Sequence, residues 1–334
     1  MEPDRLSADL PVWRVFAAIA SLYAEDDIGN AVVIGKRERM ITAMELSDAL
    51  AGAVERAAKS VFVVHGRSRL PSTGVHWRGG FIVTANHTVE PDRELTVGSP
   101  DGRRVPARLA GREPGLDIAV LKADLDGVPA VEVAEDAAVR IGHLVVAVGA
   151  GPRASAGIVS ALDASGGRRA LAEMLAIDLE LYPGFSGGPL VDVLGRVIGI
   201  TTSGASRHVR CAVRASAVGR LVDYAAQRGR IPRAYLGVGT QTVELPEAVR
   251  EQHHLGQRSA VIVVDVRPEG PAAAARIVIG DVILSVDGHA IAEPEHLVTV
   301  LRPDRVGQRV VVTLLRGGEP REVEVTVGER PHRA

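Results

Sequence analysis

Short apolar runs recur along most of the chain and set the first expectation for its fold. Val61–Val64, Gly80–Thr84, Ile118–Leu121, Leu144–Val148 and Val197–Thr201 are apolar, often β-branched, and separated by Gly, Pro and Asp turns. Strands of this length with no helical stretches of about 10–15 residues between them point to an antiparallel sandwich or barrel. Around this block the period lengthens. Ser47–Lys59, Ala-rich and low in Gly, predicts a helix with Ser47 as its N-cap, and Val218–Arg228 predicts another. Near the N-terminus, Trp13, Phe16, Ile19, Leu22 and Tyr23 follow Pro11 at spacings of three and four. They would share one helical face, docked on the body or against another subunit. Beyond Gly229–Arg233, strand signals resume at Leu236 and continue through Val261–Val266, Val282–Val286 and Val310–Leu315, with helical stretches at Pro271–Arg276 and Pro294–Leu301.

These patterns divide the chain into four parts. Residues 1–45 form an N-terminal extension, either helical or the product of a wrongly assigned start, since Met40 and Met44 are alternatives. A β-rich domain covers 46–228, a linker 229–234, and a small α+β domain of five to six strands and two helices 235–330. The length of 334 residues suits about two domains. Hydrophobic residues make up 46% and charged residues 24%, which excludes a wholly disordered or coiled-coil chain. With 39 Lys and Arg against 41 Asp and Glu the net charge is −2, so the basic footprint of a nucleic-acid partner is absent. Cys211 is the single cysteine and forbids an intramolecular disulfide. The apolar run Val12–Ala24 contains Arg14, is too short to span a bilayer and lacks the basic n-region of a signal peptide. A cytoplasmic location is therefore expected, with a periplasmic or other extracytoplasmic one as the alternative.

Three local patterns carry candidate chemistry. Ile82–Val89 is a strand that delivers His87 at its end; imidazole titrates near neutrality and suits a general base, although a lone histidine is more often structural or on the surface. Gly115–Leu121 places Asp117 at the start of a hydrophobic strand, where a carboxylate needs hydrogen bonds or serves as a turn cap. Pro183–Leu190 sets Ser186 among Gly184, Gly187 and Gly188, so that the backbone can turn tightly and bring N–H groups near a ligand oxygen. Gly149–Gly151 is a weaker glycine motif, followed by Pro152 and explained by a β-turn. His253 and His254 lack any metal-ligand spacing.

Taken in order, His87, Asp117 and Ser186 resemble the triad of trypsin-like serine proteases, and most closely the HtrA (Deg) family of PDZ-containing proteases. Thr84–Val89, Asp117–Lys122 and Pro183–Leu190, running into Gly195–Ile200, match that family's signatures. The resemblance implies a mainly β fold, a chymotrypsin-like double β-barrel followed by a PDZ domain. It implies Ser186 as nucleophile, His87 as base, Asp117 orienting the imidazole, and the backbone N–H groups of Gly184 and Ser186 as an oxyanion hole, with no metal or organic cofactor. In the second domain, Tyr235, Leu236, Gly237 and Val238 match the family's carboxylate-binding loop, Gly280–Gly288 resembles a PDZ signature, and the Glu293–Leu301 helix would form the other groove wall.

The resemblance further implies a serine endopeptidase acting on unfolded or damaged proteins, PDZ recognition of exposed C-termini or apolar segments, and a homo-oligomer, commonly a trimer. Leu181 and Ile198–Ile200 would line a pocket for small or medium aliphatic residues. Three departures stand out. Phe185 replaces the usual Asn before the nucleophile, Gly149–Ser155 leads directly into Gly157–Ser160 through a shortened loop, and His208–Val213 replaces the usual stretch there, with Cys211 expected in the core. The first two departures motivate a rival reading, a chaperone or peptide-binding scaffold with weak or no proteolysis.

Overall fold

The computed structural model describes residues 31–32, 41–68, 70–90, 93–151, 153–163, 173–204 and 209–331; the helix expected from Pro11 to Tyr23 lies outside them. A short pair, β1 (Ala31–Val32) and β2 (Ile41–Thr42), precedes a helix over Ala43–Ala58. That helix starts four residues before the Ser47 expected to cap it, because Thr42 and Glu45 form a reciprocal capping box. Thr42 Oγ1 accepts from the Glu45 N–H (3.1 Å) while the Thr42 N–H donates to Glu45 Oε2 (2.9 Å). Two donors satisfied at once outweigh the single one a serine cap offers.

Six strands follow: β3 (Val61–His65), β4 (Ser72–Arg78), β5 (Phe81–Ala85), β6 (Leu95–Gly98), β7 (Arg104–Glu113) and β8 (Ile118–Ala123). They close as a barrel in the order β3-β4-β5-β8-β7-β6. A second set, β9 (Leu144–Gly149), β10 (Arg153–Ala161), β11 (Met174–Asp178), β12 (Pro189–Val191), β13 (Val197–Thr202) and β14 (Cys211–Arg214), closes as β10-β11-β14-β13-β12-β9. Phe62, Val64, Ile82 and Leu121 fill the first barrel; Leu175, Phe185, Leu190 and Ile198 fill the second.

A third cluster locks the barrels together. Val75, Val83 and Val120 of the first barrel, Val148, Val191 and Ile200 of the second, and Ala217, Val218, Leu221 and Val222 of the helix Ala215–Arg228 share one core. The helix Ala43–Ala58 adds Ala53 and Ala57 to it, and Arg56 Nε donates to the Leu194 carbonyl at 2.8 Å. Groups presented by one barrel are thereby held at a fixed place relative to the other.

The C-terminal unit is built on a sheet ordered β16-β17-β18-β20-β21, from β16 (Val238–Glu244), β17 (Ser259–Val266), β18 (Val282–Val286), β20 (Arg309–Arg316) and β21 (Glu319–Thr326), with β19 (His289–Ala290) beside β18. β15 (Ala234–Tyr235) pairs with β22 (Gly328–Glu329) to close the unit at its base. β16 ends the sheet, so one edge is open beside the helix Pro294–Val300. Among the described residues no helix is long and apolar enough to cross a membrane.

Candidate active site

The first barrel brings His87 and Asp117 together through its register. Ala85 at the end of β5 faces Ile118 at the start of β8, so the turn after one strand and the residue before the other are neighbours. Asp117 holds φ at 55°, a left-handed conformation uncommon outside glycine, and its side chain is buried. The carboxylate is compensated by three donors: the His87 N–H at 2.8 Å, His87 Nδ1 at 2.6 Å and the Thr202 hydroxyl. With the Nδ1 proton directed at Asp117, the neutral ring presents Nε2 as an acceptor. Gly204 packs on this pair; a Cβ there would lie 2.6 Å from both Asp117 Oδ2 and His87 Nδ1.

The second barrel supplies Ser186 on the loop between β11 and β12. Gly187 carries φ of 88°, and a Cβ on it would stand 2.1 Å from the Thr73 carbonyl, so only glycine lets this loop approach β4. Thr73, fully buried on β4, stitches the loop to the first barrel. Its hydroxyl donates to the Gly184 carbonyl (2.7 Å) and accepts from the Ala150 N–H (2.9 Å), and its N–H donates to the Ser186 carbonyl (3.2 Å). Arg153 Nη1 donates to the Pro183 carbonyl at 3.3 Å, which turns the N–H of the same peptide, that of Gly184, to the opposite side. The N–H groups of Gly184 and Ser186 donate to no acceptor among the described residues.

Phe185 does not lie over these donors. Its ring is 1% exposed inside the second barrel, edge-on to Tyr182 at 5.8 Å, beneath the Arg153 guanidinium and against Gly149, whose hypothetical Cβ would sit 3.1 Å from it. Where the sequence suggests an apolar group disturbing the loop, the ring is an anchor for it.

Ser186 Oγ bonds Ser203 Oγ at 2.9 Å, and among the described residues no hydrogen bond joins it to His87. Thr202, Ser203 and Gly204 thus touch Asp117, Ser186 and His87 respectively, and none of the three belongs to the sequence motifs. The available signal is their position, two to four residues after the Gly195–Ile200 run, where β13 ends at Thr202. Ile198 and Ile200 are core residues and Leu181 packs against the second-barrel cluster. Cys211 is buried, its Sγ 3.9 Å from the Thr202 carbonyl, and burial pushes its thiol up to about 11. His253 Nε2 meets the Gly318 carbonyl at 2.9 Å.

In the C-terminal unit, Tyr235–Val238 turns at Gly237 (φ 83°), where a Cβ would come within 3.2 Å of Gly270 Cα. The Leu236 and Gly237 carbonyls accept from Ala272 N–H and Arg267 N–H, each at 2.8 Å, which directs them into the body of the unit. The N–H groups of Leu236 and Gly237 have no acceptor among the described residues. They open onto a groove of about 630 Å³ between β16 and the helix Pro294–Val300.

Two interlocked barrels with a His–Asp pair on one and a glycine-bounded serine on the other, followed by a sheet with an open-edged groove, define a trypsin-like peptidase fold joined to a PDZ domain. Comparison with known proteins gives the same two parts. The trypsin-like peptidase domain family matches residues 72–200 and the PDZ domain family residues 234–327. The chain is HtrA/Deg-like: it is 32% identical over 261 residues to the "Probable periplasmic serine endoprotease DegP-like" of Halomonas elongata, covering 75% of this chain and 55% of that protein. It is 34% identical over 264 residues to the protein of the same name in Brucella suis, covering 76% and 51%. It spans about half the length of these curated relatives. Among solved structures, the "HtrA-type protease AlgW with decapeptide" shares 27% identity at a TM-score of 0.61, covering 85% of this chain and 99% of that one. The serine endoprotease from Yersinia pestis shares 29% at 0.60, covering 84% and 98%.

Proposed function

We propose that the chain is an HtrA-type serine endopeptidase that cleaves unfolded or damaged proteins, with the division at 229–234 separating the catalytic unit from a peptide-binding PDZ unit. The observation that carries this reading is the hydrogen bond from an accessible His87 to a buried Asp117, together with a serine loop whose Gly184 and Ser186 N–H groups donate to no acceptor among the described residues. Ser186 Oγ attacks the scissile carbonyl carbon as its proton passes to His87 Nε2. The carbonyl oxygen takes the negative charge against the two N–H donors, each worth roughly 10²–10³ in rate. His87 then returns the proton to the leaving amine, and a water, deprotonated by the same nitrogen, releases the acyl group from Ser186. Asp117 keeps the Nδ1 proton in place throughout.

Casein digestion by the protein and by Ser186→Ala tests this reading. Loss of digestion in the variant supports it; equal cleavage by both overturns it.

Ser203 gives the resting site a distinct state, because Ser186 shares its hydroxyl with Ser203 rather than with His87. This observation favours, as a second reading, a binding scaffold with weak proteolysis. A neutral hydrogen bond of about 0.5–1.5 kcal/mol opposes the reorientation of Ser186. Ser203→Ala should therefore speed fluorophosphonate modification by roughly twofold to tenfold. An unchanged or slower rate would show that the Ser203 bond does not restrain the nucleophile.

For the PDZ unit, the ligand adds as a strand to β16 with its terminal carboxylate at Tyr235, Leu236, Gly237 and Val238. The names of the Halomonas and Brucella relatives include "periplasmic". We accordingly read this chain as extracytoplasmic in place of the cytoplasmic expectation, which rests on the short apolar run Val12–Ala24 and its lack of a basic n-region. We further propose a homo-oligomer, with a trimer favoured by the resemblance of the sequence motifs to the HtrA family.

A further inference from the structure

The groove of the PDZ unit is not made by that unit alone. β7 of the first barrel ends at Glu113, and Glu113 and Pro114 line the groove together with Leu236, Gly237, Leu297 and Leu301. The turn they begin lies beside the far wall's helix, where a Cβ on Gly115 would make ordinary contact with the Val298 carbonyl at 3.6 Å and Thr299 Cα at 3.8 Å. Three residues after Pro114 stands Asp117.

Glu113 is a costly residue for this position. It is 5% exposed, its carboxylate accepts from the Gly115 N–H at 3.1 Å, and it forms no ion pair among the described residues. Arg302, the nearby cation from the end of the helix, is engaged instead by Glu173 at 2.7 Å and Asp304 at 3.5 Å. Arg233 approaches from the segment before β15. Elsewhere in the groove Arg267 and Arg330 are cationic and Asp265 anionic, so the wall attracts an anion in general while Glu113 opposes one locally.

We propose that the peptide groove is a two-domain site completed by Glu113 and Pro114, and that a ligand with a free C-terminal carboxylate binds it when Glu113 carries a proton. The proposal rests on the groove being a peptide site and adds a proton to its ligand requirement. Burial raises the Glu113 carboxyl to about 7, with the Gly115 N–H and then Arg233 and Arg302 acting against the rise and Glu173 adding to it. Below that pH the carboxyl is neutral and opposes nothing. Above it, a buried negative charge lines the groove that the carboxylate enters, and binding weakens as the pH rises.

The test is fluorescence polarisation on the full chain with a labelled decapeptide ending in an apolar residue, as free acid and as C-terminal amide. A group titrating near neutrality limits the change between pH near 6 and near 8 to about tenfold, and a loss of affinity approaching that is expected for the acid on the unaltered protein. Glu113→Gln should bind the acid equally at both values, as tightly as the unaltered protein does near pH 6. Glu113→Asp, which keeps a titrating group, should retain the slope, and the amide should bind weakly without one. A flat response in the unaltered protein, or the same slope in Glu113→Gln, overturns the proposal while leaving the groove a peptide site. Failure of the acid to bind at any pH overturns the peptide-site reading and this proposal with it.

Discussion

Asp117→Asn should cut peptide hydrolysis by about four orders of magnitude while leaving the fold in place. Asp117 accepts three hydrogen bonds from a position with almost no solvent, and two of them come from His87. An amide keeps the shape but offers one acceptor oxygen and an N–H2 that cannot accept from Nδ1–H. The imidazole then relaxes to the tautomer with its proton on Nε2, where it cannot take the proton from Ser186. The lost negative charge also removes the partner that stabilises the imidazolium formed during attack. Steady-state hydrolysis of a chromogenic peptide, alongside a thermal melt, separates these effects from unfolding. A fall of less than tenfold with an unchanged melt would mean that Asp117 does not orient the base.

The second large effect falls on stability. Phe185→Ala empties a space in the second barrel, and deleting a buried phenyl ring costs about 3–5 kcal/mol. The ring touches Tyr182 and Gly149 and lies under the Arg153 guanidinium, which itself holds the Pro183 carbonyl. Its removal therefore loosens the peptide that aims the Gly184 N–H, and hydrolysis should fall together with the denaturation midpoint. A loss below about 1 kcal/mol in a urea titration would contradict the role of Phe185 as the anchor of this loop.

The strands and their grouping into two β-rich units are legible in the sequence because apolar runs and turn residues set them locally. His87, Asp117 and Ser186 are legible as motifs, since each sits at a strand end where its neighbours are fixed by backbone geometry. Thr73 and Thr202 are not legible. As strand residues they read as ordinary β-formers, and their importance arises only when two barrels meet across them. Phe185 shows the same limit in another form: its place in the loop is visible, the direction of its ring is not. Glu113 reads as a solvated strand-end carboxylate, and its burial and its place in a groove shared with residues more than a hundred positions further along appear only in the folded chain. The Ala43–Ala58 helix begins earlier than a Ser47 cap implies because Thr42 and Glu45 cap each other better than Ser47 alone.

The central claim is that Ser186 is an activated nucleophile. Intact-mass analysis after fluorophosphonate treatment, with peptide mapping of the adduct, tests it most directly. The account predicts one adduct, on Ser186, lost in Ser186→Ala and strongly slowed in Asp117→Asn; an absent adduct, or one carried by another residue and retained in Ser186→Ala, would contradict it.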